Sequence, residues 1–304
     1  MRAVGKLLTN RTFILVSALV GGLVLGSPAA RLTPLMMPAL IAVLAVSLSQ
    51  LAVREFWPAT RMLRPLLAVV LLNYVLLGSV MLALARWLAP SDELWVGYVL
   101  AAAGPPGVAI VPFTHVLRGD LQLSARGMFG GYLASLLLTP ALVYLLAGNV
   151  TIPPALLFRT ILPLVVMPFV LAQLIRPTPL APLVDRWRGT IINWGFFLVI
   201  ITAVGVNRDV FLRQPGVLLA VSAPAVVSTF GLAFLVERLG LRLRLPVETT
   251  RSAILLATVK NAPFAAAVGL TLYGEASSVP GAVLGAWYAL YFVYLGIKSE
   301  RAAA

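Results

Sequence analysis

About ten apolar runs, each near the length that crosses a hydrocarbon slab, constrain this chain more than any other feature it has. Reading runs against polar and proline-bearing breaks places spans near 12–27, 34–53, 65–87, 94–117, 121–147, 154–175, 188–206, 216–236, 249–273 and 278–297. The short connectors hold Pro58, Pro90, Pro153, Pro154, Pro177, Pro179, Pro182, Pro215 and Pro246, residues that end helices. Only helices and closed barrels satisfy their own backbone groups in lipid, and runs this long are helical, so the expected class is all-α integral membrane. Composition agrees, with 61% of the 304 residues hydrophobic and 11% charged, where soluble domains carry roughly a quarter. Ten spans use the whole length, which predicts one membrane domain over 1–304 with lipid as its surroundings.

A net charge of +13 raises the question of nucleic acid, and the placement of the 23 Lys and Arg argues against it. They fall in connectors rather than on one basic face. With the N-terminus on the inner side, 17 lie in inner segments: Arg2, Lys6, Arg11, Arg54, Arg61, Arg64, Arg118, Arg126, Arg176, Arg186, Arg188, Arg238, Arg242, Arg244, Arg251, Lys298 and Arg301. Five lie in outer ones: Arg31, Arg86, Arg159, Arg208 and Arg213. That asymmetry predicts an inner-membrane protein with both termini cytoplasmic. The first run, Phe13 to Leu25, reads as a transmembrane helix rather than a signal peptide, since no small-residue cleavage site followed by a polar region succeeds it. The chain contains no cysteine, hence no disulfide framework or thiolate metal site. Trp57, Trp87, Trp95, Trp187 and Trp194 fall near span ends, as an aromatic belt would place them.

The first span opens Arg11-Thr12-Phe13-Ile14-Leu15 and the sixth Arg159-Thr160-Ile161-Leu162-Pro163, which suggests a repeat of five spans, about 1–147 and 154–304. Five is odd, so two such units cross the membrane in opposite senses, a transporter signature. The fourth span of each unit is interrupted in its middle, by Gly104-Pro105-Pro106-Gly107 in one and by Lys260-Asn261-Ala262-Pro263 in the other. Proline removes a donor and displaces the residue before it from helical geometry, so these helices are expected to unwind at membrane depth. Unwound backbone survives there only inside protein or beside a wet cavity, which makes the paired breaks the candidate site. Pro163, Pro168, Pro224 and Pro280 read instead as packing kinks.

These residues resemble the bile acid:sodium symporter family, including its bacterial members. The stretch Leu117-Arg118-Gly119-Asp120, then Leu123-Ser124 and Leu137-Leu138-Thr139-Pro140, is similar to that family's fourth-to-fifth span junction. Val279-Pro280-Gly281-Ala282-Val283 with Trp287 resembles its tenth span, and Asn261 lies where its ninth carries asparagine. The resemblance implies ten helices in two inverted five-helix repeats, with a panel of spans 1, 2, 6 and 7, a core of spans 3–5 and 8–10, and spans 4 and 9 crossing at their breaks. It implies secondary transport of organic anions, generally driven by sodium. Aligned on Arg118-Gly119-Asp120, however, the family's Ser-Asn sodium pair falls on Ile110 and Val111, its acidic ninth-span ligand on Leu256, another hydroxyl on Met128, and the glutamine beside asparagine on Lys260. Ser124, Asn261 and Asn73, where the third span usually has glutamine, keep oxygen ligands. Hard cations want about six oxygens and preferably a carboxylate, so no bound sodium is expected here.

Lys260 is the one Lys or Arg near the middle of an apolar span, and the ten acidic residues all read as interfacial. A lysine at the bilayer centre costs about 2.5–3.5 kcal/mol, which makes it a functional candidate by default. Three roles are open: it replaces the sodium charge by bonding broken-helix carbonyls, it exchanges protons during a cycle, or it pairs with an anionic substrate. The candidate substrate and coupling residues are Asn73, Gly104, Pro105, Pro106, Gly107, Thr114, Ser124, Lys260, Asn261 and Pro263. His115, the single histidine, reads as interfacial, and Asn193 and Asn207 as candidate lining of the panel side. With one histidine and no mid-membrane carboxylate, neither a metal cluster nor a nucleophile-base pair is available and no enzyme is expected. The expected activity is alternating-access transport of a small organic anion without sodium, as monomer or homodimer. The alternatives are a sodium- or proton-coupled carrier in a related inverted-repeat family, such as those for auxin-like acids or arsenite, and a non-transporting membrane sensor.

Overall fold

A computed structural model of the chain describes residues 8–49, 60–147 and 154–303. Arg2, Lys6, Arg54, Glu55, Trp57, Pro58 and Pro153 lie outside the described residues. The helices in chain order are α1 (Arg11–Leu25), α2 (Thr33–Leu48), α3 (Thr60–Leu88), α4 (Asp92–Ala103), α5 (Ile110–Val116), α6 (Leu121–Leu146) and α7 (Pro154–Ile175). They continue as α8 (Ala181–Val206), the short α9 (Arg208–Arg213), α10 (Pro215–Arg242), α11 (Val247–Thr258), α12 (Ala262–Tyr273) and α13 (Glu275–Ala303). Among the described residues there is no strand, and seven helices are each long and apolar enough to cross a membrane.

The two runs with central breaks are each split in two. Residues 94–117 become α4 and α5, and residues 249–273 become α11 and α12. Twelve residues of α-helix are about 18 Å long, roughly half to two thirds of the hydrocarbon thickness, so each half stops inside it. Elsewhere several helices outrun the apolar runs. Helix α8 begins at Ala181 rather than near 188, with Pro182 in its first turn, and α3 and α10 add turns carrying Arg61, Arg64 and Arg242. Hydropathy reads the slab, whereas charged turns continue a helix beyond it. The early start places Trp194 midway along α8, not at its end, where its indole donates to Leu8 O at 3.1 Å. Arg188, in the added turns, pairs with Asp185 and donates to Ser49 Oγ at 3.1 Å just past α2.

The helices pack as two groups. In one, α8 lies against α1 and α2, and α2 lies against α7. In the other, α13 packs on α12, α4 and α10, α6 on α3 and α4, and α10 on α11 and α3. The groups meet where α8 touches α13 and α12 and where α7 touches α6. With lipid as apolar as the side chains, close backbone approach and interhelical hydrogen bonds hold such contacts. Gly281 brings α13 onto the backbone of Ala266 in α12, where a Cβ would collide with it. Tyr98 of α4 donates its buried hydroxyl to Val221 O of α10, and Asn207, after α8, donates to Ser278 Oγ of α13 at 2.7 Å. Asn207 therefore ties helices together, and neither it nor Asn193 lines the cavity at the breaks described below.

One feature left no trace in hydropathy. Midway along α3, residues Val70–Leu77 form a π-helical stretch, and midway along α10 so do Val227–Gly231. Such stretches widen the helix by one residue per turn, free backbone groups and often mark functional positions.

Candidate functional site

The two unwound segments run antiparallel across each other and pair as a single β-bridge between Pro106 and Lys260. Gly107 N donates to Val259 O at 3.1 Å and Asn261 N to Pro105 O at 3.1 Å. Glycine is required at 107 for contact rather than torsion, because a Cβ there would lie 2.6 Å from Val259 Cγ1 and 2.7 Å from Lys260 O.

A helix that ends inside lipid leaves its last carbonyls without partners, and here other elements supply them. At the end of α4, Ala103 O accepts from Thr139 Oγ1 at 2.7 Å, Gly104 O from Lys260 Nζ at 3.0 Å, and Pro105 O from Asn261 N. At the end of α11, Asn73 Nδ2 donates to Leu256 O at 2.8 Å and to Val259 O at 3.1 Å. The start of α12 is covered too: Asn261 Oδ1 caps it by accepting from Phe264 N at 3.1 Å. Asn73 reaches its carbonyls from the π-helical stretch of α3. Its own Oδ1 is buried without a partner, and the two carbonyls fix which end of the amide is nitrogen.

Lys260 is 1% exposed. Its ammonium lies 4.0 Å from the ring centroid of Tyr74, over the face, in addition to its bond to Gly104 O. Both contacts offer negative potential: a helix C-terminus carries the negative end of the dipole, and an aromatic face attracts cations. Among the described residues no carboxylate pairs with it. Three tyrosines frame the crossing. The Tyr74 hydroxyl donates to Gly131 O at 2.9 Å, Tyr132 Oη accepts from Asn261 Nδ2 at 3.1 Å, and Tyr288 Oη accepts from Lys260 N at 2.8 Å. Sequence reading passed over these tyrosines. The available signal was a phenol in the middle of an apolar run, which needs a partner when buried.

Of the residues singled out from sequence, Asn73, Gly104, Pro105, Pro106, Gly107, Lys260 and Asn261 meet at the crossing. Pro263 sits in the first turn of α12 and lines the adjoining cavity. Thr114 and Ser124 do not join them, since Thr114 Oγ1 bonds Ile110 O and Ser124 Oγ, at 2.8 and 2.7 Å. Ile110, Val111, Met128 and Leu256 are all buried. His115 is exposed near the end of α5.

Beside the crossing is a cavity of about 50 Å³ lined by Gly107, Lys260, Asn261 and Pro263 on one side and by Leu15, Phe196 and Ile200 of α1 and α8 on the other. It lies between the two helix groups. Leu15, Ala289 and Phe292 also border a second, mostly apolar cavity of about 500 Å³ between α1, α10 and α13. Small-molecule sites usually enclose about 300–1,000 Å³, so the space at the crossing is narrow and its neighbour is of ligand size.

The uncharacterized sodium-dependent transporter YocS of Bacillus subtilis (strain 168) is 24% identical to this chain over 232 residues, covering 73% of the chain and 69% of that protein. The sequence model of the sodium bile acid symporter family matches residues 31–212, more than half of the length. The chain, a multi-pass membrane protein with two helices unwound and paired at mid-depth, thus belongs to the sodium bile acid symporter family, a family of membrane transporters.

Proposed function

We propose that this protein carries a small organic anion by alternating access without sodium, with the Lys260 ammonium standing where relatives hold a cation. The observation that carries the reading is the ammonium itself, buried at the crossing and bonded to the Gly104 carbonyl at 3.0 Å. A fixed positive charge there favours anions over cations. Of the positions that the family resemblance assigns to sodium ligands, Ile110, Val111, Met128 and Leu256 have side chains without oxygen, and Ser124, Asn261 and Asn73 alone keep one. The contacts of the ammonium favour the charge-replacing role over proton exchange, because a helix-end carbonyl and a ring face both stabilise its charged form.

The scaffold proposed for this activity is two inverted repeats of five spans, with α4–α5 and α11–α12 as equivalent broken spans. The pair of π-helical stretches supports it, since each lies midway along the span before a broken one. The group of α1, α2, α7 and α8 is the panel, and the remaining spans form the core that moves against it, with the substrate in the space between. Both termini lie on the side richer in Lys and Arg, which is the cytoplasmic side of the inner membrane under the positive-inside rule.

The test uses purified protein in detergent and in proteoliposomes. A panel of carboxylates is screened by thermal shift with sodium or with potassium chloride, and each hit is followed by uptake. Carboxylate hits that stabilise and move equally in both salts are expected, and the response is lost in Lys260→Gln. Uptake or stabilisation that rises with sodium overturns the proposal, as does a Lys260→Gln protein that binds the same anions with unchanged affinity.

A further inference from the structure

Away from the crossing, a cavity of about 560 Å³ opens between α5, α10, α11 and α13. Its walls are apolar, with Phe230 and Phe234 of α10, Ile254 of α11 and Leu295 of α13, and its rim is charged. Arg251 and Lys298 line it, and Arg238 sits 4.9 Å over the Phe234 ring.

A second, independent observation concerns the backbone. The two non-glycine residues with positive φ among the described residues are Arg118, at 54°, and Arg244, at 51°. Each follows a helix in the same closing pattern: Gly119 N bonds Thr114 O at 2.8 Å after α5, and Leu245 N bonds Gly240 O at 2.9 Å after α10. Glycine is the usual residue at this left-handed position, because a β-carbon is strained there. Arginine occupies it both times, and both arginines adjoin the same cavity, since their chain neighbours Leu117 and Leu245 line it. Each turn thus places an exposed arginine beside the cavity's edge at a cost in backbone strain.

The acids nearby do not cancel this charge. Glu237 is paired with Lys298 at 2.8 Å, Asp120 caps α6 by accepting from Leu123 N at 2.9 Å, and Glu248 lies in the first turn of α11, where the helix dipole favours it. Arg118, Arg244 and Arg251 remain as cations without a carboxylate within ion-pair distance among the described residues.

We propose that this cavity binds one acidic phospholipid of the surrounding bilayer, its phosphate among Arg118, Arg244 and Arg251 and its acyl chains against Phe230, Phe234 and Ile254. Acyl chains account for the apolar walls, which a free phosphate would leave unused, and a net negative headgroup accounts for the two strained arginines. Guanidinium forks recognise phosphate through paired, charge-assisted bonds.

Full-length protein in nanodiscs of phosphatidylcholine alone is compared with protein in discs containing phosphatidylglycerol, reading Tm and, after extraction, bound lipid by native mass spectrometry. Phosphatidylglycerol is expected to raise Tm and to remain on the chain at one molecule per protein. Arg118→Gly and Arg244→Gly are expected to hold or raise Tm in phosphatidylcholine, because glycine suits the turn, while losing most of the phosphatidylglycerol increment and the retained lipid. Arg186→Ala, which removes a basic residue of α8 far from this cavity, keeps both. An increment that survives in the two glycine variants, that Arg186→Ala abolishes equally, or that inorganic phosphate alone reproduces overturns the proposal.

Discussion

Gly107→Ala isolates the contact on which the crossing depends. The backbone at 107 is not in the left-handed region, so alanine is torsionally acceptable and only its methyl is at issue. That methyl would lie 2.6 Å from Val259 Cγ1, 2.7 Å from Lys260 O and 3.2 Å from Lys260 C. Two of these three are backbone atoms of the partner strand, so the strands must separate by several tenths of an ångström. Overpacking of this kind costs about 1–3 kcal/mol, and stretching the 3.1 Å bond from Gly107 N to Val259 O adds about 1 kcal/mol. Alanine also restricts the unfolded chain, which returns about 0.4–1 kcal/mol. The net expectation is a loss of about 1–3.5 kcal/mol. Reversible unfolding in mixed micelles measures it, with Gly189→Ala as the reference. A Cβ at Gly189 meets nothing within 4 Å in the exposed face of α8, so that variant should gain about 0.5–1 kcal/mol. A Gly107→Ala protein as stable as Gly189→Ala would mean that the two strands are not apposed as described.

Lys260→Met leaves Gly104 O without its donor, at about 1–3 kcal/mol, but also removes a buried charge that costs about 2.5–3.5 kcal/mol. The two nearly cancel, so stability in micelles should stay within about 2 kcal/mol of wild type while anion binding is lost; unchanged anion binding contradicts the assigned role. Tyr74→Leu removes the ring face under the ammonium, and its cost relative to Tyr74→Phe should fall by about 0.5–2 kcal/mol when measured in a Lys260→Met background; equal costs in the two backgrounds would show that the cation and the ring do not interact. If transport moves one anionic charge without sodium, an inside-negative potential opposes uptake by about 2.3 kcal/mol per 100 mV, roughly fifty-fold in the accumulation ratio. Potassium diffusion potentials in proteoliposomes measure this, and accumulation driven by inside-negative potential would exclude an uncoupled carrier.

The breaks were legible because proline and glycine act on the nearest few backbone bonds, whatever surrounds them. Pro105-Pro106 and Pro263 remove donors locally: α4 stops just before Pro105, and Pro263 stands in the first turn of α12, just past the second break. The direction of Lys260 was legible because a mid-membrane ammonium must find a polar partner in the protein, and a broken helix offers carbonyls. What it could not reveal was which carbonyl, or that Tyr74 would lie beneath it, since both depend on how α3 packs against the crossing. The π-helical stretches were invisible for a related reason: Val70–Leu77 is apolar throughout except for Asn73 and the Tyr74 hydroxyl, and a one-residue widening changes neither hydropathy nor length detectably. Ser124 was a candidate because the family resemblance leaves it an oxygen ligand, and its pairing with Thr114, which also bonds Ile110 O, depends on how α5 packs against α6.

The carbonyls at the crossing explain why an ammonium serves this scaffold. Two helices ended in lipid leave acceptors that must be met in every state of the protein, and most are met by groups fixed to the chain: Thr139 at Ala103, Asn261 at Pro105, Asn73 at Leu256 and Val259. Gly104 O differs from these in receiving a charged donor. A dissolved cation in that place would be present only in proportion to its concentration and affinity, so the crossing would tighten and loosen with the ions on each side, and that dependence is what couples a gradient to transport. An ammonium on a four-carbon stem has no concentration and cannot leave to either side. Under the proposed function it keeps the crossing closed at all ionic compositions, and the same tether withholds the free energy of a sodium gradient from the solute. On the proposed reading, stability of the broken helices without ions and loss of sodium coupling are one consequence of a single residue, Lys260.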